Sequence, residues 1–183
     1  MKVSETDLKG ILLIEPDAFG DDRGYFMETW SEARYGEQKI PTRFVQDNLS
    51  FSKNGVLRGL HFQNPKPQGK LVSVVQGEVF DVVVDLRVGS QTFKKWWGTK
   101  LSSENKKQLF IPLGFAHGFV VLSGSALFFY KCTEFYDPKT ELTLLWNDSE
   151  IGIDWPVRNP VVSEKDGKGL RLGEIGKERL FGK

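Results

Sequence analysis

The sequence contains one cysteine, Cys132, and two histidines, His61 and His117, in 183 residues. A lone thiol excludes an intramolecular disulfide, and a reducing cytosol is the compartment this implies. Two imidazoles are too few for a His-rich metal site, and no paired His-x-His occurs, so the reading is metal-free. Alanine occurs four times and methionine twice, whereas Val, Ile, Thr and the aromatic residues abound. That balance argues against a helical bundle. Near the N-terminus the longest apolar run is Ile11 to Ile14, too short for a signal segment or a membrane span. Charge of one sign is also missing, with 25 basic residues against 24 acidic. No overall field therefore draws nucleic acid or an anionic membrane, and any basic site must be local.

What is present fits a folded all-β chain. Apolar residues make up 39 %, and 19 glycines with 8 prolines supply tight turns between many short strands. No repeat, low-complexity tract or linker divides residues 1–183, which read as one domain. Apolar or aromatic runs at 11–15, 25–30, 43–51, 56–63, 70–76, 78–87, 94–101, 107–112, 117–122, 125–135 and 141–146 are separated by turn residues such as Lys53-Asn54-Gly55 and Gln76-Gly77. This spacing predicts an antiparallel sandwich or small barrel. Helix is expected only at 31–36 and in the last fifteen residues, both peripheral.

Strand periodicity assigns faces. Along 79–87 the odd positions are Val79, Asp81, Val83, Asp85 and Arg87, while the even ones are Phe80, Val82, Val84 and Leu86, one face carrying charge and the other apolar. The same parity sets Leu57, Gly59, His61 and Gln63 against Arg58, Leu60 and Phe62, and puts Phe128, Tyr130 and Tyr136 together if no bulge intervenes. Titratable groups pointing into a barrel are costly unless the barrel is hollow and they are paired or solvated. A polar interior therefore marks a site.

Two clusters could carry chemistry. Residues 56–70 place Arg58, His61 and Lys70 on consecutive strands, and residues 110–119 set His117 where a strand restarts among small neighbours. Taken singly, each has an ordinary structural explanation: a histidine bonded to backbone, an edge lysine, an arginine paired with a carboxylate, tyrosines filling an aromatic core. The acid candidates are Asp81, Asp85, Glu141 and Asp166, with Asp21, Asp22 and Glu28 near the N-terminus. No nucleophile elbow, Walker A loop or dinucleotide fingerprint occurs.

Taken together, however, Asp21-Asp22-Arg23-Gly24-Tyr25-Phe26-Met27-Glu28, Phe44-Val45-Gln46-Asp47-Asn48, residues 57–70, residues 77–87, Leu101-Ser102-Ser103-Glu104-Asn105, residues 111–119 and Trp146-Asn147-Asp148 resemble the dTDP-4-dehydrorhamnose 3,5-epimerases. The ordered matches run from about residue 10 to residue 166. The resemblance implies a cupin-like antiparallel jelly-roll barrel, a homodimer exchanging N-terminal strands, no cofactor, and a site inside the barrel. By position it makes His61 the proton-abstracting base with Asp166 as its partner, Tyr130 the acid on the opposite face, and Lys70 the group meeting the developing enolate. It assigns Arg23, Glu28, Gln46, Asp47, Asn48, Arg58, His117, Glu141 and Lys165 to binding of the nucleotide sugar, and Tyr136 to stacking on thymine. Lys94 replaces a glycine common after the Ser-x-Thr-Phe turn, and the tail beyond Asp166 has no recognisable pattern.

These residue types suit epimerisation next to a ketone. Histidine, with an unperturbed pKa of about 6.5, is substantially neutral at pH 7, and a carboxylate on its second nitrogen fixes the tautomer. Tyrosine stays protonated and can donate, while a lysine ammonium stabilises an enolate. Arginine and lysine inside the cavity suit a diphosphate. The alternatives are an epimerase acting on one carbon, a metal-dependent cupin oxygenase, disfavoured by the histidine count, and a non-catalytic nucleotide-sugar binder.

Overall fold

The alternating segments become two facing antiparallel sheets. The computed structural model describes residues 1–40 and 43–182, which form β1 (Lys2–Glu5), β2 (Leu12–Glu15), β3 (Ala18–Asp21), β4 (Gly24–Met27), α1 (Glu32–Glu37), β5 (Gln46–Lys53), β6 (Leu57–Gln63), β7 (Lys70–Gln76), β8 (Glu78–Asp85), β9 (Trp96–Ser102), β10 (Gln108–Ile111), β11 (Phe115–Val121), β12 (Ser125–Cys132), β13 (Glu141–Thr143) and α2 (Glu164–Gly167). One sheet has the order β1-β2-β10-β7-β12-β5 and the other β13-β6-β11-β8-β9, with β3 and β4 apart as a hairpin. Most sheet neighbours are distant in sequence, as a jelly roll requires. The architecture is the expected cupin-like one. Among the described residues no helix is long and apolar enough to cross a membrane.

Three apolar clusters hold the layers. Val72, Val74, Val79, Val83, Leu109, Phe119 and Phe128 fill the space between the sheets. Val82, Val84, Leu60 and Phe62 point the other way, to the outer face of the second sheet, where Leu144, Ile151, Leu172, Ile175 and Leu180 cover them. The alternation in β8 therefore separates an inner face carrying Asp81 from an outer apolar face. The chain's end departs from expectation. Instead of a peripheral helix, residues 172–182 make two 3-10 turns, Leu172–Glu174 and Lys177–Arg179, and bury Leu172, Ile175 and Leu180. Burial against an apolar sheet overrode the weak local Lys/Glu pattern. On the first sheet, Tyr35 from α1 packs with Ile14, Leu71 and Phe110; Ser31 caps this helix by accepting from the Arg34 amide.

Candidate active site

A cavity of about 330 Å³ opens between the sheets, within the range of small-molecule sites. Gln46, Asn48 and Ser50 of β5, Lys70 of β7 and Phe128, Tyr130 and Cys132 of β12 form one wall; Arg58 and His61 of β6 and His117 of β11 form the other, with Gln68, Tyr136 and Glu141 at the rim.

Strict parity separates Arg58 from His61, yet both line the cavity. The β6–β11 ladder explains this: His61 pairs with His117 and Arg58 with Phe119, three steps on one strand against two on the other. One extra residue, a bulge, inverts the alternation. Gly59 occupies it with φ +106°, and a Cβ there would stand 2.6 Å from the His117 carbonyl oxygen. Glycine alone fits both constraints. Arg58 is then clamped, donating from Nε to Ser52 Oγ at 2.9 Å and from Nη2 to the Phe51 carbonyl at 3.3 Å.

His61 turns Nε2 to Asp166 Oδ1 at 2.6 Å. Asp166 is delivered by α2, whose Ser163 cap accepts from the Asp166 amide. Burial pushes the Asp166 carboxyl up, but the bond to His61, the nearness of that ring and the bond from Ser163 hold it below its ordinary value. A second carboxylate approaches the other ring nitrogen: Glu141 Oε1 lies 4.0 Å from His61 Nδ1. Glu141 Oε2 accepts from Tyr136 Oη at 2.9 Å and from Lys165 Nζ. Against burial, these donors keep Glu141 ionised and below its ordinary value. Lys165 thus acts on the rim through Glu141.

The facing wall presents a cation and a phenol. Lys70 Nζ lies 5.9 Å from the centre of the Tyr130 ring and among the described residues has no salt bridge or side-chain hydrogen bond. Burial lowers its pKa, while Cys132, Glu141 and Asp81 oppose this. Burial pushes the Tyr130 phenol up to about 12, so it is a proton donor at neutral pH. Cys132, its thiol also pushed up by burial, receives the Asn48 amide at 3.6 Å. Gln46 bonds Asn48 and accepts the Tyr136 amide at 2.8 Å.

His117 is buried, and its Nε2 lies 2.9 and 3.1 Å from the two oxygens of Asp81. Burial lowers its pKa, with Asp81 opposing and Lys70 and His61 reinforcing.

Three of the expected binding residues lie elsewhere. Asp47, between Gln46 and Asn48, takes the opposite face of β5 by the period of two, where it pairs with Lys131 at 2.8 Å. Arg23, at the tip of the β3–β4 hairpin, bonds Asp21, and Glu28 pairs with Arg34. Neither lines the cavity of its own chain. Ser50, Gln68 and Cys132 line it unforeseen; the parity that placed Tyr130 and Asn48 also places Cys132 and Ser50. Among the described residues no three His, Cys, Asp or Glu side chains converge to hold a metal ion.

Comparison with known proteins adds an independent line. The family model for dTDP-4-dehydrorhamnose 3,5-epimerase matches residues 5–174. The enzyme of that name from Methanothermobacter thermautotrophicus is 54 % identical over 165 residues, 88 % of this chain and 89 % of that protein. A dTDP-4-dehydrorhamnose 3-epimerase from Streptomyces niveus is 40 % identical over 176 residues, 95 % of this chain and 85 % of that protein. The crystal structure of a dTDP-6-deoxy-D-glucose-3,5-epimerase from Legionella pneumophila, in complex with dTDP-4-keto-L-rhamnose, superposes with a TM-score of 0.97 at 49 % identity, covering 100 % of this chain and 98 % of that one. Sequence, fold and cavity agree, and the chain belongs to the dTDP-4-dehydrorhamnose 3,5-epimerase family.

Proposed function

We propose that the chain is an isomerase that converts dTDP-4-dehydro-6-deoxy-D-glucose to dTDP-4-dehydro-L-rhamnose by inverting C3 and C5. The observation that carries this is the placement of a histidine–aspartate pair, His61–Asp166, and a protonated phenol, Tyr130, on opposite sheets with the Lys70 ammonium beside the phenol. Asp166 holds Nε2–H of His61, leaving Nδ1 to take the proton from the carbon beside the ketone. The C–H electron pair moves into the carbonyl, and the resulting oxyanion is met by Lys70; a preorganised donor of this kind is typically worth roughly 3–4 kcal/mol. Tyr130 returns a proton to the other face and regains its own from solvent, while His61 releases the abstracted proton to solvent and is ready for the second carbon. Arg58 and His117 present positive or donor edges for the diphosphate, and Tyr136 offers a ring to thymine.

The working unit is a homodimer. The hairpin exposes Phe19, Tyr25 and Phe26, and the outer face of the first sheet exposes Leu49, Phe51 and Val75, apolar surface that calls for a partner. A hairpin exchanged between subunits would carry Arg23 and Glu28 to the partner's cavity. Residues 1–183 work as one domain, and the single buried Cys132 suits the cytoplasm.

The similarity to a 3-epimerase keeps inversion at one carbon as a second reading. Incubating the protein with dTDP-4-dehydro-6-deoxy-D-glucose in heavy water and following C3 and C5 by NMR decides. Deuterium with inversion at both carbons supports the first reading, exchange with inversion at one supports the second, and tight binding without exchange refutes both.

A further inference from the structure

Asp81 is the carboxylate for which the mechanism above has no use. It exposes 0 % of its surface, does not line the cavity, and among the described residues has His117 as the sole hydrogen-bonding partner of its side chain. It stands in β8 between Val79 and Val83, both buried in the core between the sheets. A valine there would extend that core without desolvating a charge, and buried ion pairs are commonly replaceable by apolar residues without loss of stability. Stability alone therefore does not explain an acid at this position. The groups facing the His117 ring are Asp81 from β8, Lys70 from β7 and His61 from β6, while Phe128 from β12 stacks on it with centroids 6.0 Å apart.

We propose that Asp81 is a positioning residue that takes the Nε2–H of His117, so that Nδ1 is the nitrogen offered to the ligand, and that it supplies the buried counter-charge allowing Nδ1 to gain a proton when an anionic nucleoside diphosphate binds. The proposal rests on the dTDP-sugar reading of the cavity. In the empty site burial, the Lys70 ammonium and the nearby His61 ring favour a neutral His117 ring, whose Nδ1 accepts. A phosphate oxygen brought to that edge adds a second negative neighbour, and the ring takes one proton from solvent to become a donor between two acceptors. Ligand binding is thereby linked to proton uptake, and affinity rises as pH falls toward neutrality.

Calorimetry of dTDP binding to the intact protein, in buffers of different ionisation enthalpy, reads that uptake directly. We expect net uptake near pH 7.5 in the parent. In Asp81→Asn uptake should vanish and affinity fall about tenfold or more, the range for a charge-assisted bond. His117→Asn should behave alike, and the double variant should be no worse than either single one. With two histidines in the chain, nitrogen-15 spectra assign both rings once His61→Asn is recorded. His117 should carry its proton on Nε2 when free and on both nitrogens with dTDP bound. An Nδ1–H tautomer in the free protein, uptake that persists in His117→Asn, or an Asp81→Asn that loses thermal stability while keeping parental affinity and uptake would each overturn the proposal. If Asp81→Asn does not fold, the parental spectra still decide. No step reads turnover, so dTDP binding without epimerisation refutes the catalytic reading alone, and absence of dTDP binding at millimolar concentration overturns both.

Discussion

Nε2 of His61 lies 2.6 Å from Asp166 Oδ1, while the other ring nitrogen, Nδ1, is 4.0 Å from Glu141. The ring is thus held from one side by a hydrogen bond and faced by a second carboxylate on the other, so its orientation is fixed.

His61→Ala should lose at least about a hundredfold in turnover with little change in dTDP affinity, because general-base catalysis typically contributes 10²–10⁴-fold. Asp166→Asn keeps the shape but removes the charge that stabilises the imidazolium, and should lower kcat more than it changes KM. Steady-state kinetics beside dTDP titration check both. Turnover within a few-fold of the parent in His61→Ala would remove it from the base role.

A second prediction concerns stability. Asp85 is fully buried and accepts from Arg87 Nε and Nη2, Ser90 and Thr92 at 2.6–2.9 Å; against burial, these donors hold its carboxyl below the ordinary value. A carboxylate depressed in the folded state stabilises fully above its unfolded pKa and loses that contribution as pH falls through the folded pKa. Asp85→Ala should cost about 3 kcal/mol at pH 7, the lower end for a broken buried pair because Arg87 retains some solvent contact. In urea unfolding the gap to the parent should narrow as pH drops below about 4, the unfolded carboxylate range. An equal gap at pH 7 and pH 3 would mean the loss is packing alone.

The fold was legible in the sequence where alternation was clean. The run 70–76 became β7 with the same bounds, and the odd and even faces of 79–85 became inner and outer faces. β1 and β3 escaped notice because Lys2-Val3-Ser4-Glu5 and Ala18-Phe19-Gly20-Asp21 each carry one large apolar residue, too few for a period to show. The tail misled because its buried leucines pack on a distant strand rather than on a face of their own. In the site, the period of two turns Asp47 away from its neighbours Gln46 and Asn48 and toward Lys131. Arg58 and His61 were put on opposite faces because a bulge leaves no local signature beyond one glycine.

That glycine makes a third prediction. In Gly59→Ala the new Cβ would meet the His117 carbonyl at 2.6 Å and the Gly118 Cα at 2.9 Å, with φ at +106°. Backbone cannot swing aside as a flexible side chain does, so β6 and β11 must separate where His61 and His117 pair. We expect a drop in thermal stability and near-complete loss of turnover. Gly124→Ala, with nothing within 4 Å, should be silent in both; comparable losses in the two variants would show that the bulge has no special standing.

The two tyrosines test the division of labour across the cavity. Tyr130→Phe keeps the ring beside Lys70 and removes a donor whose pKa burial has pushed up to about 12. Proton loss to His61 should continue while return to the opposite face slows, so deuterium exchange outruns inversion. Tyr136 is half-exposed at the rim, its hydroxyl given to Glu141. Tyr136→Phe sacrifices one solvent-accessible hydrogen bond and should change turnover little, whereas Tyr136→Ala removes the stacking surface and should weaken dTDP binding by about 1–3 kcal/mol. Heavy-water NMR and dTDP titration of the three variants give the answer together. If Tyr136→Phe abolishes turnover while Tyr130→Phe exchanges and inverts at parental rates, the donor stands at the rim and the roles of the two residues are reversed.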